Sequence, residues 1–490
     1  MSIGRKAQAA ARHTDRMSEF GTVCGGGIAG LPHTWLMPDP ETALALRDDD
    51  AYADSIIAFV TASPTSYHAA AEVARRLDAV GLTAVDEREP WGADLPRRGY
   101  TRRGGAVIAW LLPERLEPRG GLRIVGAHTD SPALRLKPRA AMVRDGVQVL
   151  NVEVYGGPLL NSFLDRELGL AGCLTTYDGA THLVRTGPIA RVAQVAPHLD
   201  RSVNDSLHLD KQAHLLPLWA ITGGDAPGAA TGGTADGAAA TRPGPDAPEQ
   251  YLCELAGIDP ADLAFCDILT YPTEPPARFG RHGEFLASSR LDNLSSVHAA
   301  LVALETLACG DAVAAPVVFV ANDHEEVGSG SRTGAAGPFL QAVLGRLAGA
   351  MGAAGDAYAA LLARSLCVSA DAGHAAHPNY PQLHDPAVRP VLGGGPLLKI
   401  NAQQRYATDA AAVAAWARAC RAAAVPSQDF VSNNAVPCGT TIGPLTATRL
   451  GIPTVDVGQP LLSMHSQREM CALADGGGLA RALHAYWLGA

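Results

Sequence analysis

Four short apolar runs in this chain each end in residues that can bind metal ions or move protons. Arg123–Ala127 is followed at once by His128 and Asp130, and Val317–Ala321 by Asn322, Asp323, His324, Glu325 and Glu326. Ser365–Ala370 ends at Asp371, with His374 and His377 beyond it, and Thr454–Gly458 is followed after a short loop by His465. Mixed imidazole and carboxylate ligands suit zinc and similar divalent ions, and a carboxylate can bridge two ions while imidazole completes each tetrahedral shell. In that chemistry His128-Thr129-Asp130 fits a ligand whose second ring nitrogen is oriented by a nearby carboxylate. Asp292 fits the bridge, Asp371 and Glu326 fit one ligand for each metal, and His465 fits the remaining imidazole. Glu325 is adjacent to a ligand but points differently, which suits a general base acting on water.

Each of these features has an ordinary alternative. His-x-Asp after a strand is commonly a surface turn, Asp292 could be the N-cap of a helix starting near Asn293, and Glu325-Glu326 could be a solvated charge pair. His374 and His377 could be a structural pair, and Gly328-Ser329-Gly330-Ser331 lacks the Lys-Ser/Thr ending of a phosphate loop. The ordered conjunction of all of them is what the ordinary readings leave unexplained.

The elements that must position these residues follow from apolar periodicity. Short apolar runs alternate with Ala-rich helical stretches such as Asn293–Ala308 and Ala410–Ala424, as expected of an α/β sheet with helices on both faces. In such sheets ligands bind outside the carboxyl ends of the strands, where all four runs deliver their polar residues. After the helix start Ser63-Pro64-Thr65, Ala70, Val73, Leu77 and Val80 recur at helical spacing until Gly81 stops the run. Residues 132–281 contain Val147–Val154 and Leu168–Thr176 bounded by Gly and Pro, and read mostly as strands. The expected organisation is a mobile extension (1–50), a catalytic α/β domain in two parts (51–131 and 282–490), and a β-rich domain (132–281) inserted between them. Within the insert, 222–250 is almost entirely Gly, Ala, Thr, Pro and Asp and reads as a flexible loop.

Composition narrows the function. Of 490 residues, 47% are apolar and 18% charged, which suits a globular protein. Lys plus Arg 39 less Asp plus Glu 49 gives −10, without the basic patches that nucleic acid or anionic lipid would favour. The most membrane-like stretch, Ala299–Ala321, is broken by Glu305, Asp311 and Pro316. No apolar leader follows the basic N-terminus, and the nine Cys are scattered with no CxxC, so a cytoplasmic protein without a disulfide framework or thiolate zinc site is expected.

Ala62-Ser63-Pro64-Thr65, His128-Thr129-Asp130-Ser131-Pro132, Asp165-Arg166, Ser289-Arg290-Leu291-Asp292-Asn293 and Asp323-His324-Glu325-Glu326-Val327-Gly328-Ser329 form an ordered set of motifs. His377-Pro378-Asn379-Tyr380, Gln404-Arg405-Tyr406-Ala407-Thr408, Cys438-Gly439-Thr440-Thr441-Ile442-Gly443-Pro444 and Met464-His465-Ser466 continue it. From about residue 55 to the C-terminus the chain resembles the aspartyl aminopeptidase family of dinuclear zinc metallopeptidases, which includes the vacuolar aminopeptidases. The resemblance implies a catalytic α/β/α domain interrupted by a β-rich dimerisation domain. It implies two divalent ions per subunit, zinc, with cobalt or manganese as alternatives at one position. His128, Asp292 and Asp371 would hold one ion and Asp292, Glu326 and His465 the other, with Glu325 as base and Asp130 as the orienting group. It also implies a homo-oligomer, a tetrahedral dodecamer built from dimers, in which His198 of the dimerisation domain reaches a partner's site. Lys399 matches a position placed to pair with an acidic substrate side chain, the alternative being an ordinary surface Lys. His374 and Tyr406 would contact substrate as well. The chain departs from the pattern before Cys438, where Asn433 and Ala435 stand where many members carry Arg and Asp.

The activity so implied is release of N-terminal amino acids, preferably Asp or Glu, from peptides. Alternatives are an aminopeptidase preferring neutral residues, a metal-dependent N-acyl amino acid deacylase, and an inactive shell-forming scaffold.

Overall fold

In the strand Ala106–Leu111, Val107, Ala109 and Leu111 enter one hydrophobic core, and Ala106, Ile108 and Trp110 enter another on the opposite face. A strand covered on both faces needs apolar residues at every position, which is why such runs show no alternation. The computed structural model describes residues 46, 48–115, 117, 120–221, 247–310 and 313–490.

This strand belongs to a nine-stranded sheet in the order Thr83–Ala84, Arg98–Arg103, Ala106–Leu111, Val317–Asn322, Arg123–His128, Leu366–Ala370, Thr454–Gly458, Leu397–Lys399, Gln428–Phe430. Helices Asp49–Ala62, Ser66–Ala79, Leu291–Cys309, Ala410–Ala422 and Leu473–Leu488 supply residues to the first core. Phe339–Ala350, Asp356–Ala363 and Ile442–Leu450 supply the second, giving the expected α/β/α layering. Val317–Asn322, Arg123–His128, Leu366–Ala370 and Thr454–Gly458 are adjacent and parallel, so their carboxyl ends share one edge.

After His128 the chain leaves this sheet and builds a seven-stranded one from segments between Ala133 and Pro272. Its order is Leu263–Pro272, Ala133–Arg144, Val147–Tyr155, Leu218–Ile221, Ala190–Arg191, Glu167–Thr176, Thr181–Arg185, and pairing of Leu263–Pro272 with Glu167–Thr176 closes it on itself. Leu134, Leu150, Leu168, Leu170 and Ile268 fill its core. A third sheet orders Ala277–Phe279, Phe285–Ser288, Glu469–Ala472, Pro460–Leu462 and Gly373–His374. Ala277–Phe279 therefore pairs with the returning chain and not with the seven-stranded sheet, although it falls inside the expected insert.

Two expected boundaries shift. Asp48 is an N-cap, its carboxylate accepting the N–H groups of Asp50 and Ala51 at 2.9 Å, so Asp48–Asp50 start a helix and do not end an extension. The remainder of the expected extension, up to residue 45, lies outside the described residues, as does 222–246 of the expected loop. Pro248, Glu249 and Gln250 open the helix Pro248–Ala256, with Pro at a position where its missing N–H is no loss. No helix among the described residues is long and apolar enough to cross a membrane.

Candidate metal centre

Asp292 stands between two histidines. Its Oδ1 lies 3.4 Å from His128 Nε2 and its Oδ2 lies 3.4 Å from His465 Nε2. His128 Nε2 is also 3.7 Å from Asp371 Oδ1, and His465 Nε2 is 3.4 Å from Glu326 Oε2. These separations are long for hydrogen bonds, but two ligands each about 2.0–2.1 Å from a tetrahedral zinc stand about 3.3–3.4 Å apart. Ligand atoms of His128, Asp292 and Asp371 lie within 4.8 Å of one another, as do those of Asp292, Glu326 and His465. A third grouping joins His128 with Glu325 and Glu326. Asp292 Oδ1 and Glu326 Oε1 are buried without a hydrogen-bond partner, a costly state for carboxylate oxygens that coordination relieves. The donor set therefore fits a pair of divalent ions sharing Asp292.

The local backbone explains the placement. His128 ends its strand, with Nδ1 3.3 Å from Asp130 Oδ1. Asp292 (φ −81°, ψ 106°) and Asn293 are non-helical and kink the helical segment Leu291–Cys309, and Asp292 Oδ1 accepts no helix N–H, so the carboxylate faces the site and does not cap the helix. Asn293 brackets Asp371: its Nδ2 donates to Ala370 O at 2.9 Å and its Oδ1 accepts Ala372 N–H at 3.2 Å. Asp130 accepts the backbone N–H groups of Glu325 and Glu326 at 3.0 and 3.1 Å and the Tyr155 hydroxyl at 2.8 Å.

Electrostatics report the crowding of negative charge. Burial opposes a charged His128, yet the facing Asp130, Asp292 and Asp371 and the charge of Glu325 hold its pKa well above the ordinary value. His465 is pushed up to about 10 in spite of burial, by Asp292 and Glu326. Asp292 is held below the usual carboxylate range by the same two histidines, against burial. Burial pushes Glu325 up to about 7, with Asp371, Asp292 and Asp130 adding to it against His128. Burial and the charge of Asp292 push Glu326 well above the ordinary carboxyl value. Such a cluster keeps protons to limit its own repulsion, and a cation takes their place.

The family model for aminopeptidase I zinc metalloproteases (M18) matches residues 59–487. The chain belongs to the M18 aminopeptidase family. It is a metallo-aminopeptidase, which sets aside the deacylase and scaffold alternatives. A probable M18 family aminopeptidase 2 of Streptomyces avermitilis is 48% identical over 444 residues, covering 90% of this chain and 98% of that one. Among solved structures, Ape4 from its complex with Nbr1 superposes with TM-score 0.83 at 32% identity, covering 91% of this chain and 86% of that one. The crystal structure of prApe1 gives TM-score 0.82 at 25% identity, covering 92% and 97%.

Residues expected to contact substrate in this M18 aminopeptidase are less gathered. Lys399 is not a surface lysine: it is 2% exposed, and its Nζ donates to Ala372 O at 2.6 Å and stands 5.3 Å from the Tyr406 ring centre. Tyr406 and the exposed His374 line a cavity of about 230 Å³ that includes Phe430, Asn433, Cys438 and Ser463. Asn433 Nδ2 donates to Gln382 O and His384 O at 3.1 Å, fixing the loop where the family pattern departs. His377 joins none of the metal groupings, and its backbone N–H donates to His384 Nε2 at 2.8 Å. His198 lies in an exposed turn and belongs to none of them either. His324 hydrogen-bonds Ser331 at 2.8 Å, which gives the Gly328–Ser331 loop a structural role.

Three functional contacts had no signal at the sequence level. Tyr155 holds Asp130, Gly157 O faces His465 Nδ1 at 2.9 Å, and Glu469 accepts the backbone N–H groups of Asp292 and His465. Only the Tyr155-Gly156-Gly157 turn stands out in the sequence, as a strand end.

Proposed function

We propose that this M18 enzyme uses two zinc ions per subunit and prefers peptides beginning with Asp or Glu. The observation that carries the dinuclear reading is the one carboxylate, Asp292, shared between the His128–Asp371 and His465–Glu326 pairs. The metal pair, when bound, supplies the Lewis acidity that polarises the scissile carbonyl and makes the attacking water acidic. Glu325 takes the proton of that water and passes it to the departing amine. Asp130 holds His128 and the Glu325 backbone in register for this.

Lys399 supports the acidic preference. A buried ammonium that donates to Ala372 O, and whose neighbouring carboxylate Asp456 on the adjacent strand lies beyond ion-pair distance, has capacity for an anionic partner. Ala372 follows the proposed ligand Asp371, which puts this cation one residue from the metal set. Tyr406, whose ring centre is 5.3 Å from Lys399 Nζ, lines the neighbouring cavity together with His374, while Lys399 is not among that cavity's lining residues.

The reading extends to a homo-oligomer, a tetrahedral dodecamer built from dimers joined through the seven-stranded sheet, with His198 completing a neighbouring site. The exposure of Leu199 (82%) and Ile221 (83%) in that part of the chain supports it. His198→Phe should lose activity and regain a fraction on subunit exchange with Glu325→Gln, whereas no regain in verified mixed particles would assign His198 to its own chain.

The direct test is zinc-dependent hydrolysis of Asp-, Glu- and Leu-peptides with free and acetylated N-termini. Only free amines should react, with acidic residues preferred. Equal rates on Leu-peptides would leave a neutral aminopeptidase.

A further inference from the structure

We infer that Glu469 is a positioning residue for the second metal, the one assigned to Asp292, Glu326 and His465; the inference rests on the dinuclear reading above. Glu469 is 1% exposed, and each of its carboxylate oxygens has a different task. Oε2 accepts the backbone N–H of Asp292 at 3.1 Å and Oε1 that of His465 at 2.7 Å. One side chain thereby sets the spacing of two ligands that lie far apart in sequence. The third sheet makes this possible: Glu469 pairs with Ser288, which leads through Ser289 and Arg290 to Asp292, while the turn before Glu469 carries His465.

Glu469 ties two of the three ligands assigned to the second metal, and only Asp292 of those assigned to the first. His465 has a φ of 66°, in the left-handed region that non-glycine residues uncommonly adopt. Glu469 is the acceptor for its N–H. Both ligands have further support: Ser131 Oγ donates to the Asp292 carbonyl at 2.7 Å, and the His465 carbonyl accepts the Leu159 N–H at 3.0 Å while its Nδ1 faces Gly157 O at 2.9 Å. Among the described residues Glu469 makes no ion pair, and both its oxygens are taken by the two N–H groups. A carboxylate is required because it presents two acceptors. An amide presents one, and turns its NH₂ against the other N–H.

The test is zinc binding to stripped wild type and E469Q, measured by competition with a chromophoric chelator. Wild type should take two ions. E469Q should weaken one by about 10- to 100-fold, the range for outer-shell partners of metal ligands, and leave the other unchanged. Added zinc should restore E469Q activity, and H465A should show no further loss when combined with E469Q. Unchanged binding in E469Q overturns the inference. So does equal weakening of both ions with a lower melting temperature of the metal-free protein, which would make Glu469 structural. If E469Q does not fold, E469D, charged but too short to reach both N–H groups, should show the same selective loss, and wild-type affinities in it would overturn the inference. Wild type binding fewer than two ions would instead refute the dinuclear reading.

Discussion

Asp130 Oδ1 accepts the backbone N–H of Glu325 at 3.0 Å, so the residue that orients His128 also fixes the segment carrying the proposed base. The proposed ligand and the proposed base are thus referred to one carboxylate.

Glu325→Gln keeps that backbone bond and the two groupings that share Asp292, and removes the proposed proton acceptor. The expected outcome is a kcat lower by about 10²–10⁴-fold with unchanged zinc content. A near-wild-type rate in steady-state assays would assign the base elsewhere.

Tyr155→Phe takes one donor from Asp130 and leaves the ring's packing. Hydrogen bonds to charged groups contribute about 1.5–3 kcal/mol, so kcat/KM should fall about 10- to 150-fold with zinc retained. Full activity would show that the two backbone donors suffice to hold Asp130.

The proposed site residues could be picked out because metal and acid–base chemistry calls for particular residue types in a particular order. Parallel strands at 123–128, 317–322, 366–370 and 454–458 could be read from apolar runs, and their shared edge follows from topology. Tyr155 and Glu469 could not be read, because each acts through a contact that only folding creates: Glu469 meets Asp292 across 177 positions. The helix start at Asp48 was hidden for the opposite reason, since three successive acidic residues look alike whether they cap the segment after them or trail the one before.

Zinc binding should release protons. The raised pKa values of His128 and His465, the latter about 10, mean both imidazoles hold protons at neutral pH before metal enters. Affinity should therefore increase as pH rises towards about 10 and weaken as it falls. Calorimetry in buffers of different ionisation enthalpy should show net release at pH 7, and buffer-independent heats would contradict the assignment.

Lys399→Met should lower kcat/KM on Asp- and Glu-peptides by about 10- to 150-fold, equivalent to 1.5–3 kcal/mol for a partly buried charged hydrogen bond. Leu- and Met-peptides should be hydrolysed equally well or better. An equal loss on acidic and neutral substrates would make Lys399 structural.

Zinc content per subunit of wild type and Asp292→Ala, by elemental analysis of the purified proteins, tests the central claim most directly. Because one carboxylate serves both groupings, the account predicts about two ions in wild type and close to none in the variant. Two ions retained in Asp292→Ala, or a single ion in wild type, would contradict it.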